Sequence, residues 1–180
     1  LDGAIKQLAL LFVIESALPR WLAAILALSI ALLLLLRFLF WKPQLALRRL
    51  DIGIMYLGYL ALAGQLLIES MGVFAPVAWI GSVSTHVFAF GVIGLIVPAM
   101  LVRICKGHTG RKVAFDRGDK LVLWIMMAAF VMRIVAPQFF PSAYLRWLEI
   151  SAAGWLAGFS LLAWRYIPFL MQARLDGKEH

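Results

Sequence analysis

Apolar residues run almost unbroken through five stretches of the chain, 21–40, 52–68, 77–104, 121–136 and 144–169, and polar or turn-forming residues separate them. A hydrocarbon core about 30 Å thick takes about 20 predominantly apolar helical residues to cross, so the pattern predicts five membrane-spanning helices. A sixth apolar segment, 4–18, is shorter and reads as the remainder of another crossing, with an interfacial helix as its alternative. The links carry ordinary punctuation: Pro43; Gly72 and Pro76; Gly107 and Gly110; Pro137 and Pro141. No link is long enough for a second domain. The expected architecture is therefore an all-α polytopic transmembrane helical bundle, five clear spans plus a sixth at the N-terminus, forming one domain over residues 1–180. Stretch 77–104 is the longest; it would cover about 42 Å at ~1.5 Å per residue, and Pro98 is its expected kink site.

Composition agrees with the pattern. The 180 residues are 64% hydrophobic and only 14% charged, and mean hydropathy is +0.93. A soluble domain has about 45–50% apolar and about 25% charged residues. A lone cysteine, Cys105, excludes an internal disulfide and reads as a small buried hydrophobe.

The net charge of +8 would suggest nucleic acid as a partner in a soluble chain. Here the basic residues sit in the links, as anionic headgroups and the positive-inside rule require, and nucleic-acid binding is excluded. Lys6, Arg37, Lys42, Arg48, Arg49, Arg103, Lys106, Arg111, Lys112, Arg117, Lys120, Arg165, Arg174 and Lys178 fall on one side, against Arg20, Arg133 and Arg146 on the other. The rich side is the cytoplasmic one, both chain ends are expected there, and an even number of spans satisfies this. No signal-peptide pattern precedes Leu1.

Ionisable residues within apolar helices are expensive, so their positions carry the functional information. Glu15, Glu69 and Glu149 all fall at the outer end, level with Arg20, Arg133 and Arg146. Glu149, with Ser151 nearby and apolar helix on either side, is expected to face the bundle interior. The stretch Gly81-Ser82-Val83-Ser84-Thr85-His86 is small and hydroxyl-rich, and with Gly91 and Gly94 predicts a closely packed face that leaves room for something flat. His86 lies about 13 Å along that helix, level with Glu149. It reads as a hydrogen-bonded core residue, an axial ligand to haem or another metal, or a proton-relay group.

His108 lies about 33 Å from His86 along the same helix, too far for one ion to join them. Its run, Gly107-His108-Thr109-Gly110-Arg111, reads either as a helix C-cap with basic neighbours or as an anion site. No hydrolytic motif or paired cysteine ligands occur, Cys105 and His108 give at most two metal ligands, and His180 is a terminal residue.

The run Thr85-His86-Val87-Phe88-Ala89-Phe90-Gly91-Val92-Ile93-Gly94, then Arg103 and Gly107-His108-Thr109-Gly110-Arg111, resembles the NnrS family of bacterial membrane proteins. The closing Ala163-Trp164-Arg165-Tyr166-Ile167-Pro168-Phe169-Leu170, with Arg174-Leu175-Asp176-Gly177, is similar to the family's C-terminus. Members are about twice as long, so the resemblance makes this chain the C-terminal half of a longer protein, with an N-terminal half or other membrane helices among its partners beside the lipid bilayer. It implies a haem- and copper-containing protein of the bacterial inner membrane, acting in nitric oxide metabolism or resistance to nitrosative stress, with an unidentified electron-transfer partner. It makes His86 a candidate haem or copper ligand and places His108, a second candidate metal residue, with Arg111 in the signature turn. Glu149 and Arg146 would complete a polar shell. Tyr56 stands where the family pattern has a histidine, followed by Tyr59, and a phenolate can itself ligate iron. Two rival classes remain: a transporter with a proton or metal-ion path through Glu69, His86 and Glu149, and a structural membrane subunit.

Overall fold

A computed structural model describes residues 19–46, 49–75, 77–175 and 177. Five long helices form the bundle: α1 Arg20–Phe40, α2 Leu50–Phe74, α3 Val83–His108, α4 Arg117–Phe139 and α5 Tyr144–Leu170. A short turn of helix, Pro43–Ala46, links α1 to α2. Successive helices run in opposite directions. The start of α2 meets the end of α3 through Asp51 and Arg103, and the end of α3 meets the start of α4 through Lys106 and Asp119. The end of α5 returns to the start of α4 through Tyr166 and Asp119.

α3 is the central helix and packs against α2, α4 and α5, whereas α1 lies at the edge against α2. The principal core brings Leu95, Ala99, Val102 and Cys105 of α3 onto Ile54 of α2, Val122, Leu123 and Met126 of α4, and Leu162 and Tyr166 of α5. A second cluster joins Ile30, Ala31 and Leu34 of α1 to Ala63 and Leu66 of α2. In a bilayer the lipid tails are as apolar as leucine, so the helices associate through close packing rather than water exclusion, and small residues decide where they can meet. A Cβ added at Gly91 would lie 2.6 Å from Cβ of Ala61 and 2.8 Å from the Phe130 ring. One added at Gly94 would lie 3.0 Å from Nε1 of Trp155. The small face of α3 does let its neighbours approach. The flat groups that occupy the space are Phe130 and Trp155 of this chain.

The expected number of spans needs correction. Among the described residues, four helices are long and apolar enough to cross a membrane, α1 to α4, instead of five clear spans and a sixth. α5 has the length, at 27 residues, but Arg146, Glu149 and Arg165 and its interspersed Gly, Ser and Trp positions dilute its apolarity. The anticipated sixth segment, 4–18, lies outside the described residues, as do Lys6, Glu15, Arg48, Pro76, Asp176, Lys178 and His180.

Pro98 is accommodated inside α3, and the departure from α-helical geometry comes earlier, as a π-helical stretch at Val87–Ile93. The N–H of Gly94 there reaches back five residues to the carbonyl of Ala89. Such widened turns occur often at functional sites, and this one begins at the residue after His86.

Element ends also moved. α4 begins at Arg117, four residues before the apolar run, because Asp116 and Asp119 form a capping box: each side chain accepts from the other's backbone N–H, at 3.0 and 3.1 Å.

Candidate functional site

The two ends of the bundle carry different chemistry. At the end where α3 hands over to α4, an ionic network surrounds the buried pair Lys106 and Asp119. Lys106 Nζ lies 2.5 Å from Asp119 Oδ2, 2.5 Å from the carbonyl of Ala114 and 3.5 Å from Asp116 Oδ2. The other oxygen of Asp119, a wholly buried residue, accepts from Tyr166 at 2.6 Å and from Arg165 at 3.3 Å. Arg165 also holds Asp116 at 2.7 Å. Burial alone would push the Asp116 carboxyl up. The backbone N–H of Asp119, the charges of Arg165 and Lys106, and the N–H of Gly118 outweigh it and hold the group below its usual range. This network fastens three helices together; Asp116 is half exposed, and Nε of Arg165 is buried without a hydrogen-bond partner among the described residues.

The signature turn lies beside it. Gly110 has φ +70°, its N–H donates to Gly107, and the Arg111 N–H donates to Lys106 at 2.9 Å, which makes a Schellman C-cap. Thr109 is buried and its hydroxyl donates to the Cys105 carbonyl at 2.7 Å. The backbone donors of the turn therefore satisfy the end of α3. Arg111 stacks 4.0 Å over Phe169 and donates to Gln172 at 2.9 Å, and Thr109 accepts from the N–H of Leu175. His108 is exposed. The geometry is that of the capping alternative, with Arg111 tying the turn to the C-terminal stretch.

Tyr56 belongs to a third locality. Its hydroxyl donates to the Trp41 carbonyl at 3.0 Å, and its ring meets Phe38 and Trp41 edge-on at the end of α1.

At the opposite end of α3, His86 is half-buried with both ring nitrogens engaged. Nδ1 lies 2.6 Å from the carbonyl of Ser82 and must donate to it; Nε2 lies 2.6 Å from Nη2 of Arg133 and must accept. This pairing selects the neutral Nδ1–H tautomer. Arg133 projects from near the end of α4, is 8% exposed, and has its Nη1 buried without a hydrogen-bond partner among the described residues. Burying an arginine within a helical membrane segment costs free energy even near the helix end, so it requires partners. His86 is one of them, and the Tyr144 ring lies 5.9 Å away. Sequence reasoning counted Arg133 among the outer, headgroup-level cations. That it turns inward toward His86 depends on how α4 packs on α3, and no local signal reports that.

Beside this pair is a small, half-open cavity of about 10 Å³, room for about one water, with Gly81, Ser82, His86, Arg133 and Tyr144 in its lining. Glu69, near the end of α2, is exposed and accepts from the Ser84 hydroxyl. The remaining residues expected here do not join them. Arg146 and Glu149 are both exposed on α5, and Glu149 has neither a hydrogen bond nor an ion pair among the described residues. It faces away from the interior because Ser151 and Gly158 carry the buried stripe of that helix.

Fit to a haem or a metal ion can be judged from these contacts. Among the described residues, no group of three or more His, Cys, Asp or Glu side chains could hold a metal ion. The Nε2 lone pair of His86 is directed at a guanidinium cation, and the cavity, with room for about one water, is far below the ~300–1,000 Å³ usual for ligand pockets. As placed, these residues do not fit either group on their own.

A family model described as NnrS protein matches residues 1–174. No curated protein and no solved structure matches the chain. With almost its whole length covered by that match, this helical membrane protein belongs to the NnrS family.

Proposed function

We propose that the protein is a membrane component of nitric-oxide-linked processes and resistance to nitrosative stress, and that it sits in the bacterial inner membrane with the Lys106 end toward the cytoplasm. The match over residues 1–174 carries this reading, because it ties the chain to a family associated with haem, copper and nitric oxide. Four helices able to cross a membrane support the location. The chain is the C-terminal half of a longer assembly, and donors from its other helices complete any haem or copper site. Within this half, His86 and Arg133 form the working polar pair. His108 and Arg111 maintain the turn, and Arg146 and Glu149 present charge to a neighbouring helix or to headgroups.

The transport reading would need Glu69, His86 and Glu149 as a connected path. Glu69 bonds Ser84, His86 bonds Ser82 and Arg133, and Glu149 stands exposed on α5, so the geometry supports that reading less.

The test uses the full-length protein in a strain lacking its own copy. Survival under a nitric oxide donor should be restored by the wild type and reduced with His86→Ala, while visible absorbance and copper content are measured on the purified protein. Equal survival with and without the gene would overturn the proposal.

A further inference from the structure

α5 carries small residues on two opposite sides. Gly154 and Gly158 face α4: a Cβ added at Gly154 would lie 3.2 Å from Cβ of Ala129, and one added at Gly158 would strike Sδ of Met126. That side is used inside the chain. The other side reads Arg146, Glu149, Ala153, Ala157, Ser160 and Trp164, at successive spacings of three and four residues, and all six are exposed.

Lipid does not account for that outward side. On α1, at the edge of the bundle, the exposed residues Leu32, Leu33, Leu36 and Leu39 are large and apolar, as acyl chains favour. α5 presents two charges, a hydroxyl and two alanines instead. Neither Arg146 nor Glu149 has an ion pair or a hydrogen bond among the described residues, even with each other. Ser29, Ser70 and Ser151 each donate to a carbonyl three or four residues back in their own helix, whereas Ser160 has no hydrogen bond among the described residues. Close approach at small residues and hydroxyls that bond across helices are what membrane helices use to associate.

The charges say which partner fits. A side bearing one cation and one anion about one turn apart is complementary to itself, as a twofold interface requires. Copies of this chain insert the same way round, because their basic residues crowd one end, so two α5 helices meet in parallel at equal depth. Arg146 is then offset from the other copy's Glu149 by about 4.5 Å along the axis, within the reach of an arginine side chain. We propose that two copies of the chain associate through the outward side of α5, in parallel about a twofold axis along the membrane normal. Arg146 of each copy pairs with Glu149 of the other, Ala153 and Ala157 let the backbones approach, and the two Ser160 hydroxyls bond to each other. This inference rests on α5 alone, independent of the nitric oxide reading.

The test uses the full-length protein. In membranes treated with an oxidant, Ala157→Cys should cross-link into a covalent dimer. Leu36→Cys on the exposed side of α1 should not, nor should the wild type, in which Cys105 is buried. Sedimentation equilibrium in detergent then measures dimer affinity. Arg146→Glu and Glu149→Arg should each weaken the dimer about fivefold, and the two combined, which rebuild the cross pairs with reversed polarity, should restore it. Ala157→Leu should weaken it about tenfold and leave the unfolding temperature of the monomer unchanged. A monomer at every protein concentration overturns the proposal, whether Ala157→Cys is open to a membrane-permeant maleimide, as beside lipid, or shielded by another segment of the same protein. So does a dimer whose affinity ignores both single charge reversals.

Discussion

Lys106 at the end of α3 and Asp119 at the start of α4 meet at 2.5 Å, with 8% and 0% of their side chains exposed. Charges this deep are stable only as a set, since each would otherwise stand uncompensated in a low-dielectric interior. Lys106→Met or Asp119→Leu alone should each cost about 3–5 kcal/mol in reversible unfolding in detergent. The double variant should recover a measurable part of that loss. Additive losses would show that the pair is not coupled.

The neighbouring Asp116 supplies a pH dependence. Its folded carboxyl titrates below the unfolded value of about 3.9, so the folded state binds this proton less readily than the unfolded one. Its stabilising contribution is complete above that value and disappears as pH falls through the depressed folded one. Asp116→Asn retains the helix cap but not the charge, and the acid limb of the stability curve should flatten relative to wild type below about pH 4.

Glycine substitutions along α3 should separate close packing from open surface. Gly91→Ala drives a methyl against Ala61 and Phe130 and should destabilise by about 1–3 kcal/mol. Gly107→Ala meets only Val113, at 4.0 Å, and should be neutral or slightly stabilising, because alanine is the better helix former. Thermal unfolding of the two variants side by side checks the pair.

Gln138→Leu removes both hydrogen bonds to Ile80 and leaves that peptide unit without its clasp. Limited proteolysis of the link between α2 and α3 should become faster while unfolding of the helices changes little. An unchanged cleavage rate would mean that the loop is held by something other than Gln138.

Helix positions were legible because apolar runs report burial in lipid or protein without needing to know the neighbours. The start of α5 at Tyr144 coincides with the sequence expectation, and that of α1 differs by one residue. The start of α4 was missed although Asp116 and Asp119 signalled it, since acidic residues look foreign to a spanning helix until they are recognised as a capping box. α2 runs on to Phe74, beyond the expected end at Ile68, because Glu69 accepts from Ser84 and Ser70 packs inside. α3 starts at Val83, later than position 77, because the left-handed Gly81 and the Gln138 clasp hold the preceding residues as a loop.

The site was legible only as ingredients. His86, Arg133 and Glu149 could all be placed near one end of the bundle by counting along their helices. Which way each one points is a question of rotation, and helices carrying apolar residues on every side give no unambiguous answer. Packing turned Arg133 inward and Glu149 outward.

From the amino-acid order alone come a helical membrane protein, the places where its helices run, the basic character of one end and the residues that resemble NnrS, because each follows from local composition or from a run of neighbouring residues. Tertiary structure decided that Lys106, Asp119 and Arg165 lock three helices together, and that the lone pair of His86 meets Arg133. Those outcomes depend on contacts between residues far apart in the chain. The energy of such a contact is set by facing surfaces that no single segment contains.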